Sequence, residues 1–224
     1  MVFIPLYVRP EKWSLLFIYC QYARRYRMDL TDVRAKMARR NRILFSRESA
    51  CLQDLLALIR QQTHRTLALW ALACAQRPVR LLDERYPGET RPQTALALCR
   101  EWAKGRVRMP EAKRALLQVH AMAKELTVPA DIALCHAVGQ ACAAVHVETH
   151  AIGLPIYELT AIVLEYGMER CEKPLANRLD EYHTCLDRCA ARTREGTGEW
   201  AAFLLDDSRP NKEWLLYQKT HQIP

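Results

Sequence analysis

Four of the seven histidines lie between residues 120 and 150, and two of them have the spacing of metal ligands. His146 and His150 are four residues apart, so on a helix their side chains lie one turn apart on the same face. One helix can supply two zinc ligands in this way. His136 projects onto nearly the same stripe, but it lies ~15 Å from His146 along the helix axis, too far to bind the same ion. The spacing therefore offers His146 and His150 only as weak metal-ligand candidates.

The five residues His146-Val147-Glu148-Thr149-His150 do not reproduce the metalloprotease motif H-E-x-x-H. On a helix, Glu148 would point about 160° away from the histidine face, so it could not act on a water held between the two imidazoles. This geometry excludes the metalloprotease interpretation.

We expect this histidine stripe to fill a tight seam between helices. Gly139 lies on the same stripe and would let a neighbouring helix approach closely. We expect His146 and His150 to be largely buried against the helix that begins at Pro110 or the one that begins at Pro155. Buried imidazoles need partners, so each should make a hydrogen bond. A metal or ligand pocket and a partner-binding surface remain the alternatives.

The nine cysteines are an odd number and include no C-x-x-C pair. Most lie among apolar residues of predicted helices, a pattern typical of small buried side chains in a reducing compartment. A zinc site formed by Cys171, Cys185 and Cys189 with His183 is an alternative, although the paired short spacings of structural zinc sites are missing.

Sequence motifs of the common enzyme classes are absent. The chain contains no P-loop motif, no G-x-G-x-x-G and no G-x-S-x-G, so neither a nucleotide site nor a serine-hydrolase nucleophile is indicated. The paired acids Asp206 and Asp207 fall in a predicted loop, where solvated carboxylates are the usual finding. We therefore predict no catalytic residue and no cofactor, and we do not expect an enzyme.

The net charge of +8 is concentrated near the N-terminus. Residues 1–50 contain eleven Lys and Arg against four acids, so the rest of the chain is nearly neutral. A nucleic-acid site in the basic segment 24–47 is the third hypothesis. It ranks last, because the only aromatic residues interleaved with the charges are Tyr22, Tyr26 and Phe45.

Proline and glycine punctuation predicts an all-α protein, a single irregular multi-helix bundle of about ten helices. The clearest predicted helices cover about residues 92–104, 110–126, 129–152, 155–168 and 174–194. We expect Trp214–Tyr217 to dock back onto the domain. No run of ~18 apolar residues predicts a membrane span. Residues 1–27 are interpreted as an extension, loosely attached or a mis-assigned start, and 28–224 as the domain.

Two further residues sit at helix ends. Arg91 precedes Pro92 at a helix start, where the helix dipole offers a cation no stabilisation. We therefore expect an acid on a neighbouring helix, or a partner, to hold it. Trp102 is predicted to fill the core, and Gly105 suits the end of the same helix.

From about residue 69 to 164 the chain resembles the all-helical immunity-protein family of bacterial polymorphic toxin systems. The similarity is carried by the order and spacing of Arg-Pro, Trp-x-x-Gly and His-x-x-x-His, and by these residues: Trp70, Arg91, Trp102, Gly105, His120, His136, His146, His150 and Tyr157.

The resemblance implies a cytoplasmic protein that binds and neutralises a toxin made by the same cell, without catalysis. Its motif positions then have a structural or a partner-binding role. The alternative is a small helical metal-binding protein or enzyme that uses His146 and His150. Because the chain is neutral to basic, we do not expect it to mimic nucleic acid against a nuclease. The toxin, its contact face and the oligomeric state are left open.

Overall fold

A computed structural model describes residues 28–196 and 198–222 of the chain. The proposed extension 1–27, the first residues of the basic segment 24–47 and Tyr22 and Tyr26 lie outside the described residues.

Eleven α-helices, numbered here in chain order, account for most of the described residues, and no strand occurs among them. The predicted all-α bundle of about ten helices is confirmed. The helices are α1 (Thr31–Ala38), α2 (Gln53–Ile59), α3 (His64–Cys74), α4 (Gln76–Arg85), α5 (Arg91–Ala103), α6 (Met109–Glu125), α7 (Pro129–Ala143), α8 (Gly153–Tyr166), α9 (Glu172–Arg194), α10 (Ala202–Leu205) and α11 (Lys212–His221). Short 3₁₀ turns cover Ala50–Leu52 and Glu148–His150.

Local chemistry explains where several helices begin and end. Pro92, Pro110 and Pro129 each occupy the first turn of a helix, where a missing backbone N–H costs no hydrogen bond. The Thr63 hydroxyl accepts the N–H of Thr66 and caps α3. Gly105 has φ +79° just after α5 ends, a backbone conformation that other residues adopt only under strain. The helix starts at the three prolines and the helix end at Gly105 agree with the predicted punctuation.

The core is centred on α7 and α8, which pack along each other, while α6 and α4 cover other faces of α7. Small residues on α7, including Ala133, Ala137 and Gly139, are buried and permit this close packing. On the far side, α3 packs against α9. There the fully buried Trp70 ring donates its Nε1–H to the Tyr182 carbonyl at 3.0 Å. Among the described helices, none is both long enough and apolar enough to cross a membrane.

Candidate binding groove

Arg91 joins the start of α5 to the end of α6. Its guanidinium donates hydrogen bonds to Glu125 at 2.9 and 2.6 Å and to Glu89 at 2.9 and 2.6 Å. These bonds lower the pKa of Glu89 and of Glu125. The expectation that an acid on a neighbouring helix holds Arg91 is confirmed, so the residue ties two helix ends together.

His120, His136 and Tyr157 form a half-buried aromatic row across α6, α7 and α8. The ring centroids of His120 and His136 lie 5.6 Å apart, and those of His136 and Tyr157 lie 5.1 Å apart. A Cβ added at Gly139 would lie 2.8 Å from Cε1 of His120, so this glycine allows the close approach that we expected. Three of the motif positions therefore lie next to one another where α6, α7 and α8 pack together.

The pH dependence of stability should report on this row. Burial lowers the pKa of His120, helped by Lys124, and burial with the charge of His120 lowers the pKa of His136. The unfolded chain takes up protons below about 6.5 while the folded protein resists them, so the free energy of unfolding should fall as the pH drops below that value.

Urea unfolding at pH 7.5, 6.5 and 5.5 measures this effect. We expect the double variant His120→Gln, His136→Gln to lose part of the pH dependence, whereas the control His221→Gln, on the exposed end of α11, should keep it. An unchanged slope in the double variant would contradict the assignment.

The predicted long helix through His146 and His150 is wrong. Helix α7 ends at Ala143, Val147 is extended (φ −141°, ψ 120°), and His150 closes a 3₁₀ turn. The β-branched residues of this stretch disfavour helix, and the turn lets the Glu148 carboxylate accept the N–H of Lys212 at 2.9 Å. A regular helical period therefore does not apply here, and the stripe that joins His136 to these two histidines does not exist.

The burial predicted for this pair is also wrong. His146 is exposed and His150 is half-buried, so neither is largely buried as expected. The predicted hydrogen bond of His150 is confirmed, because its Nδ1–H donates to Gln140 Oε1 at 2.9 Å. Among the described residues, no group of three His, Cys, Asp or Glu side chains has the arrangement of a metal site. Neither of the two candidate zinc sites, the His146/His150 pair with a third ligand or the set of Cys171, Cys185, Cys189 and His183, is such a group.

Several basic side chains of the segment 24–47 form ion pairs within the domain. Within its described part, Arg34 pairs with Glu169 at 3.4 Å, Lys36 with Asp32 at 3.1 Å, and Arg47 with the buried Glu213 at 2.6 Å. Arg47 also donates to the Thr149 carbonyl at 2.8 Å. These contacts dock the segment onto the bundle, which reduces the charge left for a polyanion.

A groove of about 670 Å³ is lined by Trp102 and His146, two of the motif positions. The Trp102 ring lies 6.1 Å from that of His146 and 5.6 Å from that of Phe203, between ring centroids. Although Trp102 is only 9% exposed, as a core residue would be, one face of it borders this space. Apolar side chains at the rim are unusually exposed: 40% for Met109, 39% for Phe203 and 38% for Trp214.

The second wall of the groove is the C-terminal segment, which polar contacts hold in place. The Asn211 amide donates to the carbonyls of Ile59 and Gln62 at 2.9 and 2.8 Å, and its oxygen caps α11. The Ala201 N–H donates to the Ala103 carbonyl at 2.8 Å, and a Cβ on Gly105 would lie 3.4 Å from Ala201 Cα. Gly105 thus leaves room for the returning chain.

The C-terminal helix docks differently from the prediction. Its buried residue is Glu213, whereas Trp214, Leu215 and Leu216 are 38%, 44% and 45% exposed. Docking of α11 is confirmed, but its apolar side chains face outward, so an exposed apolar strip borders the groove. Exposed apolar strips with a polar rim are typical of protein-binding surfaces.

The groove has the chemistry of a recognition surface. Of the described residues that line it, none is Ser or Cys, and His64 is engaged through Nε2, which donates to the Ala144 carbonyl at 2.9 Å. Asp206 and Asp207 at the rim pair with Arg209 and Arg65 at 3.0 Å each. Aromatic faces surrounded by paired charges bind apolar side chains of a partner, with the polar rim fixing orientation.

Comparison with known proteins identifies the family of this chain. No curated protein and no solved structure matches the chain. One family model, described as Imm-5 like putative immunity protein, matches residues 57–185, which is more than half of the chain and encloses the predicted core 69–164. The chain therefore belongs to the family of Imm-5 like putative immunity proteins.

Proposed function

We propose that this protein is an immunity protein that binds a cognate toxin of its own bacterium and neutralises it without catalysis. The observation that carries the proposal is family membership over residues 57–185. A complex formed before the toxin is exported would place the protein in the cytoplasm.

The groove is the toxin-contact face in this proposal. One wall comes from the family segment and includes Trp102 and His146, and the other comes from Phe203 to Trp214, outside the matched residues. Tryptophan and phenylalanine are enriched at protein interfaces, and tryptophan is among the residues that dominate their binding energy. A wall from outside the family segment would let related proteins share a scaffold and yet select different toxins.

The charges at the rim suggest the chemistry of the toxin segment. Arg60 and Lys212 line the groove and form no ion pair with any described residue, while the nearby Asp206 and Asp207 are already paired. Opposite charges across an interface steer the approach of a partner. The segment that enters the groove would therefore combine an apolar side chain with a neighbouring carboxylate.

Co-expression with the toxins encoded by adjacent genes tests the function. Cells that produce the cognate toxin should survive only with this protein, and the purified pair should form a stable complex by size-exclusion chromatography and calorimetry. A catalytically dead toxin does not kill cells, so it says nothing about protection. It serves only to measure formation of the complex. If no adjacent toxin binds and none is neutralised, the proposal fails.

A further inference from the structure

A second concavity, of about 400 Å³, lies between α3, α4 and α9 and combines thiols with arginines. It shares no lining residue with the binding groove. We call it the arginine–thiol pocket, and its defining residues are Cys74, Arg77, Arg80, Arg178, Cys185 and Arg188.

Cys74 and Cys185 line this pocket, and Cys189 follows Cys185 by one turn of α9. Interaction with the neighbouring thiols of Cys189 and Cys74, followed by the charges of Arg188 and Arg178, lowers the pKa of Cys185. Interaction with Cys185 and burial raise the pKa of Cys74 and of Cys189. Cys185 is half-buried, whereas the other two are buried. The accessible thiol is therefore the one whose pKa is lowered, and a lower pKa favours the thiolate, the form that reacts.

The pocket has more positive charge than its acids neutralise. Arg77 and Arg178 share the buried Glu158, at 2.6 and 2.8 Å, and Arg178 also pairs with Glu181. Arg80 reaches only Glu84, at 3.7 Å on an exposed surface, and Arg188 forms no ion pair with any described residue.

A buried donor at the same place lacks a partner. Arg178 is only 6% exposed, and its Nε–H has no hydrogen-bond acceptor. Buried donors are normally satisfied. The Arg178 Nε–H has almost no accessible surface, so the groups that can reach an anionic ligand are the exposed guanidiniums of Arg80 and Arg188. A carboxylate is a good acceptor for guanidinium N–H groups.

We propose that Cys185 is a thiolation site for a carboxylate-bearing low-molecular-weight disulfide, which the arginines of the pocket bind and orient. The Cys185 thiolate attacks one sulfur of the disulfide. A new S–S bond joins Cys185 to that half of the molecule, and the other half leaves as a thiolate that takes up a proton. Cys185 is oxidised and the leaving half is reduced, so no further oxidant takes part. The site does not depend on toxin binding.

Oxidised glutathione and cystamine are matched probes, because the first carries carboxylates and the second is cationic. With the full-length protein, mass spectrometry and peptide mapping should find the adduct at Cys185. Its rate with oxidised glutathione should exceed the rate with cystamine by about ten-fold or more at low salt, since a local field of one sign concentrates the opposite charge. Added salt should reduce this ratio.

Two arginine variants separate ligand binding from thiol reactivity. The double variant Arg80→Gln, Arg188→Gln removes exposed charges and should slow the glutathione reaction while changing the cystamine reaction less. Arg108→Gln is the matched control, because this arginine is 91% exposed and lies outside the pocket. Equal rates with the two probes in the wild type, or an unchanged rate ratio in the double variant, would overturn the role of the arginines.

Other cysteines supply the remaining controls. Cys51 is also half-buried, but burial and Asp32 raise its pKa to about 12, so it should stay unmodified while Cys185 reacts. Cys74→Ser keeps a hydrogen-bond donor and removes one of the two neighbouring thiols that could displace the adduct, so more of the adduct should accumulate in this variant. Modification of Cys51 without Cys185, or no adduct at Cys185 in Cys74→Ser, would overturn the proposal.

Discussion

Replacing Glu158 by Ala is expected to lower the free energy of unfolding by about 3–5 kcal/mol. The Glu158 side chain is fully buried on α8, and its two oxygens serve three donors. Arg77 donates to Oε1 at 2.6 Å, Arg178 donates to Oε2 at 2.8 Å, and the Tyr182 hydroxyl donates to Oε2 at 2.5 Å. Loss of the carboxylate leaves the buried Tyr182 hydroxyl without its acceptor, and it leaves the exposed Glu181 as the remaining ion-pair partner of Arg178.

Glu181→Ala is the matched control, because Glu181 pairs with the same guanidinium at 2.7 Å but is 58% exposed. Exposed pairs contribute about 0–1 kcal/mol, so this variant should unfold nearly as the wild type does. Urea unfolding followed by circular dichroism gives both values. Similar losses for the two variants would show that the buried carboxylate has no special role.

Glu158 illustrates which part of the structure the sequence can predict. It is the one charged residue between Gly153 and Leu164, a stretch otherwise almost entirely apolar. A lone acid in such a stretch indicates a buried partner, because an unpaired buried carboxylate is strongly destabilising. The partners themselves, Arg77, Arg178 and Tyr182, come from distant parts of the chain, and no local pattern identifies them.

The features predicted correctly are local or nearly so. Proline positions set the starts of α5, α6 and α7, because the ring fixes φ and needs no N–H partner. For Arg91, the sequence predicts only that an acid on a neighbouring helix holds it, because the helix dipole does not stabilise a cation at a helix start. The dipole argument does not say which acid this is, and the structure shows Glu125.

The error over His146 and His150 arose from tertiary contacts that override the helical period. The chain turns after Ala143 because Glu148 caps the start of α11 through the N–H of Lys212, which is 64 residues away in sequence. Half of the groove depends on similar contacts, such as those of Asn211 with Ile59 and Gln62. Sequence spacing therefore identified Trp102 and His146 as notable but could not show that they border one groove.

The exposed aromatic side chain of Trp214 gives the proposed interface its sharpest test. The ring lines the groove, stacks on Tyr217 with 5.7 Å between centroids, and is 38% exposed. A tryptophan in this position is held in place before binding and still has surface to bury against a partner. Anchors of this kind contribute about 2 kcal/mol or more at protein interfaces.

Trp214→Ala is therefore expected to weaken toxin binding by about 30-fold or more while leaving the fold intact. Leu117→Ala is the control, because Leu117 is 52% exposed on α6 and does not line the groove. Calorimetry with inactive toxin gives the Kd of each variant, and thermal unfolding checks that both remain folded. Because the Asn211 cap and the Glu213–Arg47 pair hold α11 without the indole, its loss should not release the helix. Unchanged affinity for Trp214→Ala, or a larger loss for Leu117→Ala, would place the toxin on another face of the bundle.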